Sequence, residues 1–308
     1  MNSSLAPEHI YVHTRGIRLH VAVTGPRTAP LVLLIHGFGG GWFDWTELMP
    51  ELVGDTDGDT GDDAGEFCVA AVDLRGYGRS DKTPRGYDLT TAASDMCGVI
   101  RGLGHTDALV VGHGEGGLIG WTMAAHEPER VRGLVTLASA HPRVVARSVL
   151  LHPVSQWPRL RSSMFAQLPR WPEHRLLRNN AEKAARTFRY GVAPGFRDTE
   201  VCTRHAELRR EAMQVDKVAH LSCEYRRWTV RSRFRPEGGH FDRTLPNHTD
   251  APVVCVDGSM DRAYNAKIAK RSAARGGAGS RAEVIYGVGH FPHIEDPATV
   301  ARIIRGVE

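Results

Sequence analysis

The hexapeptide Gly112-His113-Gly114-Glu115-Gly116-Gly117 follows an apolar run, Ala108-Leu109-Val110-Val111, and precedes a helical pattern from Leu118 to Ala125. A strand that feeds a helix through a tight turn flanked by small residues presents its apex side chain at an exposed point. Ser, Cys or Asp at that apex would attack an electrophilic carbon and form a covalent intermediate. Here the apex is Gly114, which has no side chain and can attack nothing. Gly112 and Gly116 fit the strained, close-packed backbone that such a turn requires. Glu115, one residue on, offers a carboxylate, but adjacent positions of a tight turn point in different directions. Its plain role is a carboxylate held by local backbone or by a nearby arginine.

The elements that must position this turn are legible as a regular alternation. Ile10–Thr14 and Ile17–Val23 form an N-terminal strand pair. Leu31–Ile35 and Cys68–Val72 are continuous apolar runs, as expected of strands buried on both faces. Helices are expected over Trp42–Val53 and Thr90–Leu103, then a strand at Ala108–Val111, the helix after the turn, and a strand at Leu134–Ala138. Such alternation implies right-handed βαβ units and a mostly parallel sheet. It breaks near His141 and resumes at Pro252–Val256, with a last strand at Ala282–Tyr286 and a last helix at Pro297–Gly306. The expected organisation is therefore a core of residues 1–140 and 248–308, with a helical cap, 141–247, inserted between two strands. Within the core, residues 54–66 hold six acids and no base and are expected to be an acidic flexible loop. Asp55, Asp57 and Asp59 alternate as in calcium loops, but the distal Glu of that motif is missing.

Bulk properties fit an ordinary globular protein of 308 residues, 41% hydrophobic and 24% charged. No stretch reaches the roughly 18 consecutive apolar residues of a membrane span, and the N-terminus carries no signal-peptide pattern. Five scattered cysteines with no C-x-x-C pair suggest buried thiols in a reducing compartment, hence a cytoplasmic protein. His141–Asn247 carries 21 Lys and Arg against 10 Asp and Glu, an excess that favours anionic partners. No nucleic-acid motif accompanies it, so a protein partner or an anionic membrane surface, with peripheral attachment, is expected as the macroscopic partner of the basic cap.

This pattern resembles the α/β-hydrolase family and, more narrowly, its epoxide-hydrolase-like branch, over nearly the whole chain. His36-Gly37-Phe38-Gly39 is similar to the family's H-G-x-P oxyanion motif, with Gly39 in place of proline, and Asp73-Leu74-Arg75-Gly76-Tyr77-Gly78-Arg79-Ser80 matches its D-x-R-G-x-G-x-S turn. The resemblance implies an α/β-hydrolase fold: a mostly parallel twisted sheet flanked by helices, with an inserted helical cap. It makes Asp261 the acid after a late strand and His290 the histidine after the last one, a pair that would activate water or a nucleophile. It assigns the oxyanion hole to the N–H groups of Phe38 and Glu115, and substrate contacts to His36 and Trp42. Family epoxide hydrolases also use two cap tyrosines as ring-opening acids. Tyr225, before Arg226, resembles the second, while Phe165 stands where the first would be. No cofactor and no metal are implied, although His290, His293 and Glu295 are clustered in sequence.

Two readings stay open. One is a degenerate hydrolase that binds an apolar or amphiphilic ligand, or a protein partner, through its capped pocket. The other is an active epoxide or ester hydrolase working through Glu115 or through a water activated by His290 and Asp261. A deliberate replacement at position 114 is a third account, although Ala or Asn is the commoner choice for silencing a site.

Overall fold

The computed structural model describes residues 6–54, 66–151, 163–262 and 265–307. The expected loop at 54–66 falls almost wholly outside them.

Eight strands form one sheet in the order β1-β2-β4-β3-β5-β6-β7-β8. Strands β1 (Glu8–Thr14) and β2 (Ile17–Thr24) make an antiparallel hairpin closed by Arg15 and Gly16, both at positive φ, and β2 also runs antiparallel to β4 (Cys68–Val72). Two successive positive-φ residues suit a two-residue turn whose twist matches the strands. All the remaining pairs are parallel: β3 (Leu31–Ile35), β4, β5 (Ala108–His113), β6 (Val131–Leu137), β7 (Val253–Gly258) and β8 (Arg281–Ile285). In β3 the side chains alternate between two cores. Leu31, Leu33 and Ile35 pack on one face of the sheet, Val32 and Leu34 on the other. Burial on both faces is why the run is apolar without interruption.

Helices cover both faces. The first short helix, α1 (Leu48–Val53), lies beside the last, α11 (Pro297–Arg305), while α2 (Leu89–Gly102) and α3 (Glu115–His126) pack together. The single helix expected over Trp42–Val53 is instead a 3₁₀ turn, Trp42–Trp45, followed by α1. Pro50 explains the break, because its ring excludes a helical carbonyl four residues earlier. All five cysteines are buried and unpaired.

Between β6 and β7 the described chain is helical: α4 (Pro142–Leu151), α5 (Trp171–Gly191), α6 (Glu200–Gln214), α7 (Val218–Arg231) and α8 (Pro236–Thr244). Helix α5 breaks at Arg178–Ala181, where three successive residues take left-handed φ, and it packs closely on α6. The remaining helices are α9 (Ala266–Ala273) and the single turn α10 (Pro292–Glu295). No helix among the described residues is long and apolar enough to cross a membrane. In a sheet of this kind, ligands bind beyond the carboxyl ends of the parallel strands. The loops carrying Phe38, Gly114, Asp261 and His290 all leave the sheet at that edge.

Candidate active site

The turn from β5 into α3 has the strained backbone of a nucleophile-bearing elbow, with Gly114 at φ 54°, ψ −111°. The flanking glycines are fixed by packing. A Cβ on Gly116 would lie 2.0 Å from the Ile35 carbonyl oxygen, and one on Gly112 would lie 2.4 Å from the Gly116 oxygen. Gly114 differs. A Cβ there would meet only the Gly37 Cα, at 3.9 Å. The apex therefore keeps the room for a side chain and lacks the side chain.

His290 Nδ1 and Asp261 Oδ2 are 2.8 Å apart, and the imidazole is about one-third exposed while the carboxylate is buried. The hydrogen bond fixes the tautomer and leaves Nε2 as the available base. Three contacts hold the loop that carries His290. Its backbone N–H donates to Gly191 O (2.8 Å) at the end of α5, and its carbonyl accepts from His113 Nε2 (3.0 Å). Glu295 accepts from the N–H groups of Gly289, Phe291 and Ala193 at 2.8–3.1 Å. Burial nevertheless raises the Glu295 carboxyl above its ordinary range, against the lowering effect of those three donors. His113 is fully buried, and burial together with the neighbouring histidines and Arg209 keeps it well below the usual imidazole value, hence neutral.

Neither the Phe38 nor the Glu115 N–H donates to another group among the described residues, as an oxyanion hole requires. His36 does not contact ligand space. It is fully buried, with Nδ1 donating to Gly37 O (2.7 Å) and Nε2 accepting from Leu74 N–H (3.1 Å), so its work is to set the turn beneath Phe38. Gly39 sits at φ 71°. Proline, held near φ −65°, could not adopt that conformation, so the departure from H-G-x-P changes the backbone of this loop.

A cavity of about 230 Å³ lies between the core and the cap, walled by Phe38, Leu176, Ala184, Phe188, Met213 and Phe291, among others. Phe165 also lines it, as do three cations, Lys183, Arg209 and Arg226. Arg209 is buried, paired with Asp44 at 2.7 Å, its guanidinium over the Phe291 and Phe188 rings. The Arg226 guanidinium lies 3.6 Å from the centre of the Phe38 ring, and its Nε donates to Glu115 Oε1 at 2.8 Å.

Tyr225 does not line this cavity. Its buried hydroxyl donates to Arg75 O (3.1 Å), and its ring meets Tyr87 edge-on. The physical reason is helical phase. Cys223 and Arg226, three apart on α7, share the cavity face, and Tyr225 is turned about 100° away from Arg226. Trp42 is displaced likewise: its ring packs edge-on to His9 and His20, and its backbone N–H donates to Asp73 (2.9 Å). His293, which sequence proximity joined to His290, is buried against Trp45. Glu295 is spent on backbone donors, as described above. Among the described residues no cluster of His, Cys, Asp and Glu is arranged to hold a metal ion. The sequence reading missed Lys183, Arg209 and Arg226 as cavity residues. Only the i, i+3 spacing of Cys223 and Arg226 beside Tyr225 could have signalled the last.

Residues 30–297 match the alpha/beta hydrolase fold family. The chain belongs to that family. This α/β-hydrolase is 29% identical to the AB hydrolase superfamily protein YfhM of Bacillus subtilis (strain 168), over 96% of this chain and 95% of that one. It is 27% identical to epoxide hydrolase 3 of Xenopus tropicalis, over 99% of this chain and 79% of that one. The Bacillus megaterium epoxide hydrolase, solved with an inhibitor, shares the fold at TM-score 0.80 and 20% identity, covering 97% and 99% of the two chains. The α/β-hydrolase described here thus lies in the epoxide-hydrolase-like branch. Its apex glycine stands beside an Asp261–His290 hydrogen bond and a Phe38–Gly39 loop whose backbone is closed to proline.

Proposed function

We propose that this α/β-hydrolase has lost covalent hydrolysis and uses its capped cavity to bind an apolar or amphiphilic small molecule. The observation that carries the reading is the pairing at the elbow. Gly114 provides no nucleophile, and the adjacent Glu115 carboxylate is engaged by Arg226 rather than free to attack. Two further features support it: Phe165 where a tyrosine is expected, and a Tyr225 hydroxyl committed to Arg75. Without a cap acid, an opening epoxide oxygen has no proton source from either position. Loss of a triad nucleophile costs on the order of a million-fold, leaving about 10³–10⁴ over water.

The retained Asp261–His290 bond favours a second reading, in which His290 Nε2 takes a proton from a water that attacks a reactive epoxide or ester directly. One experiment separates them. Wild-type protein and His290→Ala are incubated with a panel of epoxides and activated esters, and binding of the apolar fluorophore N-phenyl-1-naphthylamine is measured in parallel. Binding reads out equal product from both proteins, with fluorophore affinity weakened about tenfold by the cavity-filling Ala184→Trp. Product that vanishes with His290 supports the water route and overturns the loss of catalysis.

A further inference from the structure

We infer that the cavity ligand carries an anionic group, a carboxylate or sulfate on an apolar tail, held at the cavity mouth by Lys183, Arg175 and Arg186 beside the Phe165 ring. This rests on the binding reading above and names its ligand class.

Three cations face the cavity, and two of them are already neutralised by carboxylates, Arg226 by Glu115 and Arg209 by Asp44. Lys183 has no carboxylate partner among the described residues. Its ammonium lies 5.4 Å from the Phe165 ring centre, and the Arg175 guanidinium lies 5.4 Å from the same ring. Lys183 and Phe165 also border a wider open groove of about 890 Å³, which carries Arg170, Arg175, Arg178 and Arg186, and to which Glu182 contributes the one lining carboxylate. Partial burial, then the charges of Arg175, Arg226 and Arg186, hold the Lys183 ammonium below its ordinary pKa. Like charges in a half-desolvated place repel more strongly than in water. An anion seated among them removes that repulsion and gains charge-assisted hydrogen bonds.

The inner wall gives the tail its chemistry. Besides Lys183 and the two neutralised arginines, the lining is mostly apolar, with Leu176, Ala184, Phe188, Met213 and Phe291 among it. At about 30 Å³ for a water-sized unit, a cavity of about 230 Å³ accepts a tail of about eight carbons. Head outward and tail inward is the only polarity that matches both ends.

Isothermal titration of the purified protein with octanoate, octyl sulfate, 1-octanol and octyltrimethylammonium tests the inference. The expected result is octanoate or octyl sulfate bound about tenfold tighter than octanol, with the ammonium amphiphile weaker than octanol. Octanoate above octyl sulfate identifies a carboxylate ligand, and the reverse order a sulfate. Lys183→Met should shrink the acid-to-alcohol ratio to within about threefold, and Lys183→Arg should restore it. Octanoate and octyl sulfate both bound no tighter than octanol in the wild type, or a ratio untouched by Lys183→Met, overturn the anion site while leaving the cavity reading intact. No binding by any of the four overturns both.

Discussion

Arg226 on cap helix α7 donates to Glu115 at 2.8 Å, tying the cap to the residue that follows the vacant apex of the elbow. The Glu115 carboxylate, the neighbouring group that could replace the nucleophile, is thereby engaged, and the Arg226 guanidinium lies over the Phe38 ring.

Glu115→Gln should therefore leave any residual epoxide or ester turnover unchanged. Arg226→Ala should lower stability by about 1 kcal/mol, since both side chains are only partly buried, and should speed proteolytic cleavage within the cap. Turnover abolished by Glu115→Gln would make this carboxylate the working nucleophile and refute the structural assignment.

The open apex predicts that chemistry can be restored there. Gly114→Ser places a hydroxyl where the nearest obstacle to its Cβ is 3.9 Å away, at a φ that costs about 1–3 kcal/mol. Hydrolysis of p-nitrophenyl acetate, whose leaving group needs no cap acid, should rise about 100-fold or more over wild type. Adding His290→Ala to that variant should remove the gain. Absence of any gain in a folded Gly114→Ser protein would mean that His290 and the two oxyanion N–H groups are not poised.

Packing at the elbow gives a sharper contrast. Gly114→Ala should cost about 1–3 kcal/mol, from backbone strain alone. Gly116→Ala drives a methyl to 2.0 Å from the Ile35 oxygen and should cost more than about 4 kcal/mol, or prevent folding. Urea denaturation of the two variants decides the point, and comparable losses would contradict the described geometry.

Acid should act on a second tie between cap and core. Glu47, just before α1, is held down to about 2, chiefly by the hydrogen bond from His205 on α6 and also by Arg204, against the opposing effect of burial. A carboxyl depressed in the folded state contributes stability above its unfolded value, about 4.3, and loses it as pH falls toward 2. Wild type should thus exceed Glu47→Gln in urea midpoint at neutral pH, with the gap closing between about pH 4.5 and 2. A gap that stays constant over that range would remove Glu47 from the account.

Much of this protein was legible in its sequence because the signals are local. Uninterrupted apolar runs give strands β3 and β4 at their observed bounds, since burial on both faces forbids polar interruptions. The small-residue turn at 112–116 announces the elbow, because only Gly tolerates carbonyl oxygens at 2.0–2.4 Å from its missing Cβ. The vacancy at Gly114 is likewise a property of the sequence alone. What the tertiary structure decided is where side chains from distant segments point. Tyr225 turns to Arg75 and Arg226 takes the cavity, because one residue on a helix is a rotation of about 100°. The His36 ring goes into structural hydrogen bonds, and the Trp42 ring packs against His9 and His20. Lys183 is left as the cation without a carboxylate among those lining the cavity, a relation that depends on the Glu115–Arg226 and Asp44–Arg209 pairs, separated by more than 100 residues in the chain. Charge pairing across such separations is fixed by the packing of cap on core, and no local pattern encodes it.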